Sequence, residues 1–137
     1  MSEFVWPVRI YYEDTDHGGV VYYANYLRFM ERARTEYLRH YGFEQDQLSA
    51  DEGVIFAVRS VELDYRRPAR FNDLLAVSAR IVHRGGASFT VLQEVRRNGE
   101  LLCSGKVKVA SLEVGTLRPV PLPQQIVTVM DSIENDH

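Results

Sequence analysis

One stretch of helical periodicity constrains this chain more than any other feature, because strand-like sequence surrounds it. Apolar residues recur with a 3.6-residue period between Tyr26 and Tyr41. Gly42 follows them, and glycine is the residue that most often ends an α-helix in the left-handed conformation. The pattern predicts one long helix over about residues 23–41, roughly 28 Å long at 1.5 Å per residue.

The segments on both sides of this helix predict an antiparallel sheet. Residues 8–12 form the expected first strand, and the polar segment 44–53 is expected to hold one short helical turn. Asn98 and Gly99 are typical of a type I′ turn, so the strands that flank them are expected to pair directly. The later strands are expected over residues 54–67, 74–84, 87–98 and 100–114. In the second of these, one face is formed by Leu75, Val77, Ala79 and Ile81.

One long helix and about five antiparallel strands predict an α+β fold, in a single domain over residues 1–137. The helix is expected to pack across one face of the sheet, and the acidic tail 130–137 is expected to be frayed. A single helix cannot cover five long strands, and such a sheet has exposed edges. We therefore expect a homo-oligomer, either a dimer or a tetramer.

Composition and charge exclude several classes of protein. The net charge of -3 argues against nucleic acid as a partner. The chain has one cysteine, Cys103, so no internal disulfide can form and a reducing compartment is expected. No apolar run reaches the roughly 20 residues of a transmembrane segment. Because the first residues also lack the apolar core of a signal peptide, we expect a cytoplasmic protein.

The common catalytic motifs are absent from the sequence. It contains no GxSxG, Walker A, HExxH or CxxC pattern. The four histidines lack the spacing of metal ligands and are interpreted as loop or surface residues: His17, His40, His83 and His137. Cys103 is expected to pack in a strand, and the basic turn 66–70 to be solvated. Arg84 stands beside two glycines, which fits either a flexible turn or a backbone nest with a cation for phosphate.

The segment "EDTDHGGVVYYANY", residues 13–26, carries the strongest chemical signal. It places two acids, Asp14 and Asp16, before two glycines and a helix start that has no obvious capping side chain other than Asn25. The first N–H groups of a helix carry about half a positive charge, and uncapped groups can bind a ligand oxygen. One interpretation is a carboxylate nucleophile or base beside an oxyanion hole. The other is an Asx-turn that leads into a helix.

The stretch "YYEDTDHGGVVYYANYLRFMERARTEYL", residues 11–38, resembles the N-terminal signature of the 4-hydroxybenzoyl-CoA thioesterase family of hotdog-fold proteins. The similarity continues through "VRSVELDYRRPARFNDLL", residues 58–75, and is greatest to the acyl-CoA thioesterases associated with the Tol–Pal cell-envelope system. The resemblance implies a long central helix wrapped by an antiparallel sheet. It also implies dimers that join into a longer sheet, and commonly tetramers.

The resemblance assigns roles to five residues. The family's catalytic aspartate matches Asp16, its oxyanion amide matches Tyr23, and the glycine next to the reacting carbonyl matches Gly19. Arg84 and Arg118 match the positions where relatives use basic residues for the phosphates of CoA. Tol–Pal-type relatives often carry histidine where this chain has Tyr23, but a backbone amide is retained with any side chain except proline.

The activity that the resemblance implies is hydrolysis of acyl-CoA to a carboxylate and CoA. No metal or redox cofactor is implied, since CoA is part of the substrate and its thiolate is already a good leaving group. Acyl carrier protein is a second candidate partner. A hotdog dehydratase and a non-catalytic adaptor of the cell envelope remain as alternatives; a dehydratase would require a catalytic histidine at the helix start, where none stands.

Overall fold

The computed structural model describes residues 3–16 and 18–135, so His17 and His137 lie outside the described residues. The strands are β1 (Phe4–Arg9), β2 (Val54–Tyr65), β3 (Leu74–Arg84), β4 (Ser88–Arg97) and β5 (Glu100–Glu113). The α-helices are α1 (Asn25–His40), α2 (Gln45–Glu52) and α3 (Gln124–Asn135), and a short 3-10 helix covers Tyr12–Asp14. All strand pairs are antiparallel, in the order β1-β3-β4-β5-β2. The predicted α+β architecture is confirmed.

Helix α1 packs across one face of the sheet, as predicted, and contacts β1, β3 and β4. Its apolar stripe is buried there: Tyr26, Phe29, Met30, Ala33, Tyr37 and Leu38. Gly42 ends the helix with φ of 92°, and the Phe43 N–H donates to the Leu38 carbonyl at 2.9 Å. This is the left-handed ending that the sequence predicted.

The sheet confirms two further predictions. The alternating residues of β3 are all buried on the side of the helices: Leu75, Val77, Ala79 and Ile81. Asn98 and Gly99 both have positive φ, at 49° and 83°, as a type I′ turn requires, and they join β4 directly to β5.

Side chains replace main-chain hydrogen bonds at one place between β3 and β4. The pairs Val77–Val95 and Arg80–Leu92 have the same register, but Ser78 and Ala79 between them have no paired residues on β4. The Glu94 N–H donates to Ser78 Oγ at 3.0 Å, and Gln93 Nε2 donates to the Ser78 carbonyl at 3.2 Å. Gln93 is only 1% exposed, and its Nε2 also donates to the Met30 carbonyl of α1 at 2.9 Å.

A glycine on β5 lets α1 approach the sheet closely. A Cβ atom at Gly105 would lie 2.8 Å from Leu63 Cδ2 and 2.9 Å from Met30 Sδ. Such separations are shorter than van der Waals contact, so a larger residue would displace the ends of these two side chains.

Three predictions about secondary structure are wrong. The first strand ends at Arg9 instead of residue 12, because a 3-10 turn closes there with the Asp14 N–H donating to the Tyr11 carbonyl at 3.0 Å. The polar segment 44–53 holds an eight-residue helix, α2, which ends at Gly53 with φ of 67°.

The third error concerns the C-terminal segment, which is helical rather than frayed up to Asn135. Ile126, Met130 and Ile133 recur at helical spacing and are buried against the sheet. This apolar stripe stabilises α3 despite the acidic residues around it. None of the described helices is both long and apolar enough to cross a membrane.

Candidate active site

A short hairpin before α1 holds the central residues of the candidate site. Thr15 pairs with Val21 in an antiparallel bridge, and the Asp16 N–H donates to the Val20 carbonyl at 3.0 Å. Gly19 turns the chain with φ of 75°, a conformation that favours glycine, while its missing Cβ would meet no atom within 4 Å. The backbone conformation, rather than lack of space, therefore explains glycine at this position.

The loop between β2 and β3 supports this hairpin from the side. The Val21 N–H donates to the Ala69 carbonyl at 2.8 Å, and Val20 forms a bridge with Arg70. The Ala69 N–H in turn donates to the buried Tyr26 hydroxyl of α1 at 2.9 Å. Hairpin, loop and helix start are thus bonded into one cluster.

The two acids of the hairpin have different environments. Asp14 is buried, with 6% of its surface exposed, and its Oδ2 accepts the Tyr11 N–H at 2.9 Å. Asp16 is exposed and its Oδ1 accepts the Gly18 N–H at 3.1 Å, which is an Asx-turn. Asp14 therefore stabilises the local fold, because it closes the turn that holds the short 3-10 helix. Asp16 presents its carboxylate to solvent.

The N-terminus of α1 has free main-chain donors. The helix begins at Asn25, two residues later than predicted, and no side chain caps it. Asn25 instead donates from Nδ2 to the Asp14 carbonyl at 2.9 Å. Among residues 3–16 and 18–135, no acceptor bonds to the N–H groups of Tyr23 and Ala24.

The bonds of the neighbouring carbonyls fix the direction of these amides. The Tyr22 carbonyl accepts the Asn25 N–H at 2.9 Å, and the Tyr23 carbonyl accepts the Tyr26 N–H at 3.3 Å. In a trans peptide the N–H points opposite to the C=O of the same unit. Because both carbonyls point along the helix, the N–H groups of Tyr23 and Ala24 point away from it, at the positive end of its dipole.

Aromatic side chains surround this helix start, and one of them was not predicted from the sequence. Tyr65, the last residue of β2, donates its hydroxyl to the Tyr23 carbonyl at 3.2 Å. Its ring meets those of Tyr23 and Tyr26 edge to face, at centroid distances of 5.8 and 5.5 Å. Tyr65 is 42 positions from Tyr23, and a single sequence gives no signal for such a contact.

The two arginines predicted to bind phosphate lie at the other end of the sheet. Arg84 is the last residue of β3, and the first residue of this strand follows directly after the loop that supports the hairpin. The eleven residues of the strand span about 33 Å, so Arg84 lies about this far from the loop. Arg84 donates from Nε and Nη2 to both carboxylate oxygens of Asp131 on α3, at 2.6 and 3.1 Å. Arg118 is exposed beyond the end of β5. The structure therefore groups Asp16, Gly19 and Tyr23, but not the arginines, within one chain.

Two concave regions lie away from the hairpin. A cavity of about 120 Å³ between α1 and the sheet has apolar walls that include Phe56, Val58 and Phe89, and Glu31 and Arg34 also line it. A wider groove of about 490 Å³ lies across the sheet, and charged residues of four strands line it.

Metal and thiol chemistry have no evident site in the described part of the chain. No group of three or more His, Cys, Asp or Glu side chains there could hold a metal ion. Cys103 is buried, as predicted, and burial raises the pKa of its thiol to about 11. The thiol is therefore protonated at neutral pH and unsuited to act as a nucleophile.

Known proteins share both the sequence and the fold of this chain. An acyl-CoA thioesterase, YbgC, of Haemophilus influenzae is 44% identical over 123 residues, covering 90% of each chain. An acyl-CoA thioester hydrolase, YbgC, of Escherichia coli O6:H1 is 46% identical over 125 residues, covering 90% of this chain and 92% of the relative. The crystal structure of a probable thioesterase from Bartonella henselae superimposes with a TM-score of 0.85 at 37% identity, covering 89% of this chain and all of the other.

These similarities confirm the predicted hotdog fold and the predicted family. The sequence model of the Thioesterase superfamily matches residues 18–104, which include the candidate helix start, α1 and most of the sheet. The chain belongs to the Thioesterase superfamily.

Proposed function

We propose that this protein hydrolyses acyl-CoA thioesters to a free carboxylate and CoA. The observation that carries the proposal is the pair of outward-pointing amides at Tyr23 and Ala24, in the same bonded cluster as the exposed carboxylate of Asp16. An acyl-transfer site needs these two elements, a base or nucleophile and donors for the developing oxyanion. The YbgC relatives, named as acyl-CoA thioesterases, support acyl-CoA as the substrate class.

In the proposed mechanism Asp16 acts on the thioester carbonyl in one of two ways. Its carboxylate attacks the carbon to form an anhydride that water then cleaves, or it takes a proton from a water that attacks directly. In both cases the Tyr23 N–H and the helix dipole stabilise the oxyanion. In either route this oxyanion collapses with breakage of the C–S bond, and the thiolate of CoA leaves and is protonated by solvent; in the first route this step leaves the anhydride, which water cleaves afterwards. Gly19, with its positive φ, makes the turn of the hairpin beside the reacting carbonyl.

We also propose that the complete site is shared between two copies of the chain. Strand β2 is an edge of the sheet, and its Val58 and Val61 are exposed, as is Leu27 of α1. Two-fold pairing of β2 with its copy would satisfy this edge and reverse the second sheet.

In each sheet, Arg84 and Arg118 lie at one end and Asp16 lies at the other. The reversal would bring the arginine end of one copy towards the Asp16 end of the second copy. Within one chain, by contrast, CoA would have to cross the length of β3 to reach Arg84 from Asp16. The shared arrangement supports the assignment of both arginines to the CoA phosphates. Light scattering at micromolar concentration should give a dimer or tetramer, and a compact monomer would contradict the shared site.

The cellular assignments rest on the sequence alone. They are a cytoplasmic location, a role with the Tol–Pal system, and acyl carrier protein as an additional partner. Acyl-phosphopantetheine carried on acyl carrier protein presents the same thioester as acyl-CoA. A comparison of the hydrolysis rates of the two substrates would test whether the carrier protein is recognised.

Thiol release from a panel of acyl-CoAs tests the proposed reaction. We expect release of CoA thiol with formation of the free acid and no enoyl product. Formation of an enoyl thioester would instead indicate a dehydratase, and binding without turnover would indicate an adaptor. Either of these results would overturn the proposed function.

A further inference from the structure

Tyr65 joins the edge strand β2 to the first turn of α1. Its hydroxyl donates to the Tyr23 carbonyl at 3.2 Å, and its ring lies edge to face with the rings of Tyr23 and Tyr26. Tyr65 is 43% exposed, so this contact lies at the rim of the candidate site and not in the core. Tyr26 has a different bond, because its hydroxyl accepts the Ala69 N–H at 2.9 Å.

The hydrogen bond from Tyr65 restrains the peptide unit that follows Tyr23. The only helical donor to the Tyr23 carbonyl in the described residues is the Tyr26 N–H, and that bond is long, at 3.3 Å. The phenol therefore supplies a second donor of similar length to the same oxygen. A carbonyl held by two donors cannot rotate freely, and the Ala24 N–H, which points opposite to it, is held with it.

The Tyr23 N–H is also affected by this restraint, because only the Tyr23 Cα separates it from the restrained peptide unit. This N–H belongs to the preceding peptide unit, whose carbonyl, on Tyr22, accepts the Asn25 N–H at 2.9 Å. The two peptide units meet at the Tyr23 Cα, so both must be fixed before the two amides can converge on one oxygen. The helix fixes the first unit well and the second unit weakly.

We propose that Tyr65 is a positioning residue for the oxyanion hole, which acts by holding the Tyr23 carbonyl so that the N–H groups of Tyr23 and Ala24 converge. The inference rests on the proposed function, since it concerns the same amides. The phenol is suited to a donor role because partial burial raises the pKa of Tyr65 above its ordinary value and keeps the hydroxyl protonated. It touches the main chain of the site and not the reacting atoms.

Substitution of Tyr65 by phenylalanine removes the hydroxyl and retains the ring contacts. We expect Tyr65→Phe to lower kcat about ten- to a hundredfold, the range caused by misplacement of a catalytic group by up to about 1 Å. KM should change by less than about twofold, because an interaction that matters only in the transition state lowers kcat and kcat/KM together. The pH profile of kcat should keep its shape.

Tyr41→Phe is the matched control. It removes a phenolic hydroxyl that makes no hydrogen bond within residues 3–16 and 18–135, at the opposite end of α1. This variant should retain the wild-type kcat and KM. Circular dichroism and the melting temperature of both variants should match those of the wild type.

Three results would overturn the inference. Wild-type kcat in Tyr65→Phe would show that the hydroxyl is not needed, and a change in KM alone would make Tyr65 a substrate contact. Loss of the basic limb of the pH profile would make the phenol a direct acid or base. Asp16→Asn, measured in parallel, separates this failure from failure of the proposed function: if that variant remains fully active, the assignment of the site itself is wrong.

Discussion

Replacing each acid of the hairpin by asparagine should separate catalysis from folding. For Asp16→Asn we expect kcat on acyl-CoA to fall by about 10² to 10⁴, the contribution of a positioned acid or base. That corresponds to about 2.7 to 5.4 kcal/mol of transition-state stabilisation, at 1.36 kcal/mol per tenfold change in rate. The substitution preserves the shape of the side chain but removes its charge, basicity and nucleophilicity.

The free energy of unfolding should respond in the opposite order. Within the described residues, the exposed Asp16 carboxylate accepts one hydrogen bond, from the Gly18 N–H, and an asparagine oxygen can accept it equally. Its loss of charge should therefore change stability by less than about 0.5 kcal/mol. The buried Asp14 accepts the Tyr11 N–H at 2.9 Å, and a neutral amide is a weaker acceptor there. Asp14→Asn should cost about 1–2 kcal/mol of stability and keep most of the activity.

Steady-state kinetics and urea unfolding of the two variants test this crossed pattern. Circular dichroism and light scattering serve as controls for fold and assembly. A folded Asp16→Asn enzyme with the wild-type rate, beside an inactive Asp14→Asn, would reverse the assignment. Full activity in both variants would refute a carboxylate mechanism.

Three further predictions concern the rest of the chain. Arg84→Ala should raise KM for acyl-CoA about tenfold, more than it lowers kcat. Hydrolysis of a short acyl thioester without the nucleotide should be unaffected. Arg39→Ala, which removes an exposed ion-paired arginine on α1, is the control in both assays. Cys103 should resist alkylation in the native protein at pH 8, because a pKa of about 11 leaves almost no thiolate, and should react in urea, as mass spectrometry will show. Gly105→Ala should lower the free energy of unfolding by about 1 kcal/mol in urea titrations, because its Cβ would displace the flexible ends of Leu63 and Met30.

Each of these three predictions has an outcome that would contradict it. Equal losses of Arg84→Ala on both substrates would place the arginine at the acyl group or in the fold. Rapid native alkylation would show that the thiol is accessible and ionised. An unchanged midpoint for the glycine variant would mean that the two neighbouring side chains move aside at no cost.

Local rules of sequence predicted the parts of the fold that depend on neighbouring residues. Asn98 and Gly99 adopt positive φ for reasons within the turn itself, and Gly42 ends α1 through bonds to the preceding turn. The alternation of buried and exposed residues along β3 could be predicted for the same reason. The apolar stripe of α3 obeys an equally local rule, but the acidic residues among which it lies made this segment resemble a frayed tail.

Contacts between distant residues were beyond prediction from one sequence. The pair of Arg84 and Asp131 joins positions 47 residues apart, and the bond from Tyr65 to Tyr23 joins positions 42 apart. Of the candidate site, the sequence identified the residues of the hairpin and helix start through their resemblance to a family. The main-chain bonds that orient the amides depend on tertiary structure.

The hydrogen bonds of Gln93 have a consequence for the accuracy of the site. Gln93 donates to the main-chain carbonyl of Met30 and accepts from Arg34 Nη1 at 3.0 Å, so it bonds to two successive turns of α1 at once. Bonds of this kind fix the position of a helix along its axis, which apolar packing alone leaves adjustable. A slip by one residue would carry the Tyr23 amide 1.5 Å along the axis and turn it by about 100°. Gln93, in the middle of the sheet, thus sets the axial register of a helix whose first turn, in the proposed mechanism, must meet a reacting atom within a fraction of an ångström.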